Sequence, residues 1–202
     1  MLVAQRINLA LRPVPPLAVY LAGAVPAGLL VGQAVTGALG VDPVKALEHA
    51  LGLHALQFLV LALAVSPLRR WTGVNLVRWR RALGLLGFAY VLAHLAVWLA
   101  LDIQFRWAEI WADILKRPYV TVGMAGFVLL VPLAITSTDR AVRQMGPVAW
   151  RRLHRLAYLA TLAGAVHYIM LVKAWPLQPM VYLAVVLSLL IARVATVRRG
   201  TI

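Results

Sequence analysis

Six stretches of the chain are apolar along most of their length: Leu17–Leu39, Leu51–Leu68, Ala82–Leu101, Tyr119–Ile135, Leu153–Val172 and Leu177–Ala192. Within them only Arg155, near an end, is a Lys, Arg, Asp or Glu. The hydrocarbon core of a bilayer is crossed by a helix of about 20 such residues. The pattern therefore predicts an all-α, polytopic membrane protein, a six-helix bundle read as one transmembrane domain over 1–202. The first stretch exceeds the h-region of a signal peptide, about 7–15 residues, and reads as a retained span. Pro26 and Pro132 predict kinks in the first and fourth spans, which neighbouring helices can accommodate.

Composition agrees with that pattern. Hydrophobic residues make up 63% and charged residues 13%, with a mean hydropathy of +0.86. Soluble domains run near 45–50% and about 25%, so a disordered chain, collagen and a soluble enzyme are excluded. Cysteine is absent. That removes disulfides, thiolate metal sites, Cys-ligated iron–sulfur clusters and Cys nucleophiles, and leaves the five histidines to carry any metal chemistry.

The net charge of +14 is unevenly placed. Fifteen Lys and Arg fall on the N-terminal segment, the second and fourth connections and the C-terminal segment; five (Lys45, Arg106, Lys116, Arg117, Lys173) fall on the alternate side. Of the acids only Asp139 joins the basic side, while Asp42, Glu48, Asp102, Glu109 and Asp113 lie opposite. The positive-inside rule then places both termini in the cytoplasm. In a bilayer this charge reports orientation and anionic-lipid contact, or the docking of an acidic cytoplasmic partner; it does not point to nucleic acid. Two outer segments, Val41–Ala50 and Phe105–Leu115 with Trp107 and Trp111 one turn apart, read as short interfacial helices or plain rim anchors.

Histidines inside a span are functional candidates. His94 lies 13 residues from Arg81 in the third span, and His167 lies 14 from Leu153 in the fifth. At about 1.5 Å per residue both sit about 20 Å from the cytoplasmic edge. Two neutral imidazoles at matched depth suit the two axial positions of a haem iron; the bland alternative is two interhelical hydrogen bonds. Gly87 and Gly164, near the His faces, would leave room for a macrocycle. His154 lies at the other leaflet, 13 residues before His167 and turned about 140° from it on an ideal helix; a π-bulge near Gly164 could correct this. It suits a second haem with a non-His or displaced partner, a haem propionate, a quinone or flavin, or a structural role. No His occurs near Arg81 to complete a second bis-His pair. His54 reads as an interfacial side chain and His49 as a solvated loop residue. Phosphate loops, zincin motifs and Ser-His-Asp arrangements are absent from the sequence.

Several segments carry a family likeness: GVDPVKALEHALG at 40–52, RRALGLLGFAYVLAHL at 80–95, KRPYVTVGM at 116–124, LAITSTDRAVR at 133–143 and WRRLHRLAYLATLAGAVHYIMLVK at 150–173. In order and spacing the chain resembles the MsrQ (YedZ) family of haem-binding membrane subunits, within the ferric-reductase-like transmembrane superfamily. The resemblance implies a multi-pass protein of the bacterial inner membrane that is an electron-transfer subunit and not the catalytic one. It would pass electrons from the quinone pool or a cytosolic flavin reductase, through haem b, to MsrP, a periplasmic molybdenum-cofactor enzyme that reduces methionine sulfoxide. It implies FMN as a further cofactor, which falls on no particular residue here; the basic cytoplasmic loops suit its phosphate. The family's haem histidines fall on His94, His154 and His167. Wider superfamily members carry two His on the third helix, and Arg81 stands near the second of those places, which argues against two full bis-His haems. The competing readings are an outer-face ferric or other metal reductase acting without MsrP, and a cofactor-free transporter or scaffold.

Overall fold

A computed structural model describes residues 2–171 and 176–199, without the side chains of 194–199. Val172 and Lys173, used in the reading above, lie outside the described residues, as do the side chains of Arg198 and Arg199. The described residues are mostly helical, without strands, and form α1 (Leu2–Leu11), α2 (Pro16–Val35), α3 (Pro43–Thr72), α4 (Arg80–Val97), α5 (Trp107–Lys116), α6 (Pro118–Ile135), α7 (Asp139–Leu153), α8 (Leu156–Leu171) and α9 (Leu177–Arg199).

Four helical stretches are long and apolar enough to cross a membrane: Pro16–Val35, Pro43–Thr72, Val77–Asp102 and Pro118–Ile135. The fifth and sixth predicted spans correspond to the shorter apolar helices α8 and α9. The fifth starts later than expected because the chain turns at His154 and Arg155 before α8 begins.

Local signals set the ends. Asp42 caps α3 by accepting from the Lys45 backbone N–H at 3.0 Å, with Pro43 in the first turn, where its missing N–H costs nothing. Gly73 closes α3 in the left-handed conformation (φ 77°), its N–H donating to the Arg69 carbonyl. The segment expected as a separate interfacial helix at 41–50 is instead the first two turns of α3. With 30 residues and about 45 Å of length, α3 outreaches the hydrocarbon. The segment at 105–115 does form a helix of its own, α5, with Ile110 buried and Trp107 and Trp111 exposed.

α3 is the hub. Leu47, Leu51 and Ala55 pack with Leu30 of α2 and Tyr90 of α4. Leu59 meets Leu130 and Leu133 of α6 and Ala160 of α8. Leu56 meets Ala165 of α8 and Val186 of α9. The periphery is as apolar as the core: Leu17, Leu21, Val25 and Leu29 form an exposed stripe along α2. Water would penalise such a patch; lipid does not.

Proline positions show how the bundle satisfies its backbone. α2 continues through Pro26, and the Tyr90 hydroxyl enters that helix, donating to the Gly23 carbonyl at 2.7 Å and accepting from the Ala27 N–H at 2.9 Å. α4 continues into a π-turn at Trp98–Asp102. At the basic end of the bundle, Arg78 donates to the carbonyls of Leu11 and Arg12, tying the N-terminal segment to the connection between α3 and α4, and Arg81 pairs with Asp139 at 2.7 Å. At the other end Lys45 pairs with Asp102 at 2.7 Å.

Candidate functional site

α3, α4, α6 and α8 enclose a cavity of about 400 Å³, within the range of ligand sites, about 300–1,000 Å³. His94 from α4 and His167 from α8 line it, along with Gly52, Gly123, Gly126 and Gly164 and apolar side chains such as Leu56, Leu59, Phe127 and Leu130. Lys45, Glu48, Asp102 and Arg117 border it on the side of the acid-rich connections.

The two rings stand close in an edge-on arrangement, with centroids 6.2 Å apart and planes crossed at 76°. Each is held the same way. His94 Nδ1 lies 2.9 Å from the Glu48 carbonyl oxygen on α3, and His167 Nδ1 lies 2.7 Å from the Tyr119 carbonyl oxygen on α6. A carbonyl only accepts, so both Nδ1 atoms carry the proton. In a neutral imidazole that leaves Nε2 as a lone-pair donor on the other side of the ring. Such a Nδ1–H to carbonyl bond is the usual orienting contact of a metal-binding histidine.

Two imidazoles bound end-on to one metal ion, with metal–nitrogen bonds of about 2.0–2.1 Å, have centroids about 6.4 Å apart. The observed 6.2 Å fits. Among the described residues no group of three or more His, Asp or Glu is disposed to hold a metal ion unaided. A two-nitrogen donor set therefore suits a metal whose remaining ligands come from a macrocycle, as in haem. Gly164 opens the cavity wall as expected: a Cβ there would reach only Leu56, at 3.7 Å. Gly87 does not. A Cβ there would meet Leu59 at 2.8 Å, so Gly87 serves the close approach of α4 to α3.

His154 stands apart from the cavity. Its Nε2 is 3.0 Å from Thr136 Oγ1, and its ring stacks on Trp150 at 3.8 Å; Trp150 in turn donates to the Thr136 carbonyl at 2.9 Å. The π-turn that could have rotated His154 toward His167 is absent from α8; the one π-turn among the described residues follows α4. Near the place where a second ligand on α4 would stand, Arg81 is paired with Asp139.

The remaining histidines differ from expectation. His49 lies in α3 at the cavity mouth, not in a loop. His54 contacts Gln57 Oε1 at 2.9 Å, Gln57 donates to the Tyr182 hydroxyl at 2.8 Å, and His54 meets Tyr90 edge-on. It is thus joined to α9 through Gln57 and to α4 by a ring contact. Sequence reasoning passed over Gly52, Gly123 and the carbonyls of Glu48 and Tyr119. The one available signal was a glycine four residues after each carbonyl, which has no meaning until the partner helix is known.

Comparison with known proteins follows the same outline. Residues 50–165 match the family described as "Ferric reductase like transmembrane component". Over 176 residues the chain is 48% identical to the "Protein-methionine-sulfoxide reductase heme-binding subunit MsrQ" of Brucella ovis, Brucella canis and Brucella suis, covering 87% of this chain and 80% of each relative.

Proposed function

Because this chain belongs to the ferric-reductase-like transmembrane component family and, within it, to the MsrQ haem-binding subunits of protein-methionine-sulfoxide reductase, we propose that it carries electrons across the bacterial inner membrane to a periplasmic methionine sulfoxide reductase, MsrP. The observation that supports this most is the His94–His167 pair: two oriented imidazoles spaced for one metal, in an apolar cavity between four helices.

In this reading the chain is one transmembrane domain of six spans, with α8 and α9 as the fifth and sixth and both termini in the cytoplasm. His94 and His167 would hold haem b through their Nε2 atoms. When bound, that group supplies an iron that takes up and releases one electron at a time within hydrocarbon. The protein's own work is to bind, orient and shield. The carbonyls of Glu48 and Tyr119 fix both tautomers and raise the electron donation of both Nε2 atoms. The glycines and aliphatic side chains keep water from the centre. The outer mouth, bordered by Lys45, Glu48, Asp102 and Arg117, is where the periplasmic partner approaches. At the cytoplasmic end His154, between Trp150 and Thr136, serves electron uptake from a quinone or a flavin reductase. The arginine-rich connections there suit the phosphate of FMN or anionic lipid headgroups.

Reconstitution into lipid vesicles tests this reading. With reductant on the side of the basic connections and oxidised MsrP on the other, the wild-type chain should reduce MsrP, and His94→Ala and His167→Ala should abolish the transfer. Equal rates in the variants would contradict the reading. Reduction of chelated ferric iron but never of MsrP would favour the metal-reductase alternative.

A further inference from the structure

Two glycines stand against the paired imidazoles. A Cβ on Gly52 of α3 would lie 3.1 Å from His94 Nδ1, and a Cβ on Gly123 of α6 would lie 2.8 Å from His167 Nδ1. Gly52 is four residues after Glu48, and Gly123 is four after Tyr119, the residues whose carbonyls the two rings take. In an α-helix the carbonyl of residue i faces the N–H of i+4. Each His therefore shares the carbonyl whose helical donor is the glycine's own N–H, and reaches it only because no side chain stands over the glycine. A carbonyl has two lone pairs, enough for both donors. The arrangement occurs twice, on different helices and with opposite members of the His pair. Other glycines of the bundle do something else: Gly87 meets Leu59, Gly126 meets Ala163, and Gly84 meets nothing within 4 Å.

We propose that Gly52 and Gly123 are positioning residues, twin notches in α3 and α6 that set the orientation and the electron donation of His94 and His167 toward the group bound between them. The proposal rests on the assignment of those histidines as the haem ligands. An alanine at either notch raises helix propensity, so the span itself is not weakened. The ring, however, must turn away from the carbonyl. Loss of an orienting partner of this kind typically costs 10- to 100-fold in metal affinity or activity, and a less basic imidazole favours the ferrous over the ferric state. Gly123, with the closer contact, should be the more sensitive.

The test compares wild type, Gly52→Ala, Gly123→Ala, Gly84→Ala, His94→Ala and His167→Ala in the full-length membrane protein. Haem content, the visible and electron-paramagnetic spectra, and the midpoint potential are read for each. In both notch variants the low-spin signal should shift and the midpoint potential should rise, by about 59 mV for each tenfold change in the ferric-to-ferrous affinity ratio. Gly84→Ala should match wild type. If Gly123→Ala does not accumulate in the membrane, Gly52→Ala decides alone. Notch variants with the spectrum and potential of Gly84→Ala, alongside His variants that lose haem, would overturn the notch proposal and leave the ligand assignment intact. His variants that keep the wild-type spectrum would overturn both.

Discussion

His94 and His167 come from helices separated by more than fifty residues, yet their imidazoles stand 6.2 Å apart and each is tied through Nδ1 to a backbone carbonyl of a third or fourth helix. The pair is thus held by α3 and α6 as much as by the helices that carry it. Such preorganisation matters for a group that must change charge without rearranging its surroundings.

Arg193 shows how the arginine-rich end of the bundle is locked. Pro67 has no N–H, so the Leu63 carbonyl, four residues earlier in α3, lacks its helical donor. Arg193 Nη2 donates to that carbonyl at 2.6 Å, while Nη1 donates to the Tyr158 hydroxyl of α8, also at 2.6 Å. Arg193→Ala should destabilise the protein by about 1.5–3 kcal/mol, the range for charge-assisted hydrogen bonds. In a Pro67→Ala background the cost should drop by about 1 kcal/mol, because residue 67 then supplies an N–H to Leu63. A double-mutant cycle read by unfolding checks this; strict additivity would contradict it.

His154 is engaged with Thr136 and Trp150 and does not line the cavity. His154→Ala should keep the wild-type haem-to-protein ratio and the spectrum of the His94–His167 site, and should slow reduction by a quinol or flavin donor several-fold. A fall of haem content by half would instead make it the ligand of a second haem. Full haem with full rates would remove it from function.

Asp139 carries a pH signature. The hydrogen bond from Arg81 holds its carboxyl below the ordinary range, with the guanidinium charge adding to the effect. A carboxyl with a lowered folded pKa stabilises the protein above its unfolded value, near 3.9, and loses that contribution as pH falls through the folded value. Asp139→Asn should therefore melt slightly below wild type at neutral pH, and the difference should vanish well below about pH 4. Because the pair is exposed, added salt should shrink it too. A difference that persists at low pH would contradict the assignment.

Topology can be read by fusion. A fluorescent protein after Ile202 should be bright and a phosphatase there inactive, whereas a phosphatase inserted between Gln104 and Phe105 should be active. The opposite pattern would overturn the orientation inferred from the arginines.

Helical class, apolar stretches and the depth match of His94 with His167 were legible because a bilayer imposes length and hydropathy on each span separately. What depends on two helices at once was not. Gly52 and Gly123 look like any small residue until His94 and His167 are laid against them, and Gly87 looked like a cavity residue until Leu59 filled its place. A helix beginning near Pro43 was legible from Asp42–Pro43, but its continuity with the span from Leu51 was not, because Lys45 and Glu48 interrupt the apolar run. α7 escaped as well. It is amphipathic and arginine-rich, and it is broken at Gly146 (φ 75°, ψ 151°), so it carries no span signal.

The most direct test of the central claim is the haem stoichiometry and spectrum of the purified chain with and without its two cavity histidines. One tightly bound, low-spin b-type haem per chain is expected, lost when either His94 or His167 becomes alanine. A preparation with no Soret band, or one that titrates to two stoichiometric bis-His haems, would contradict it.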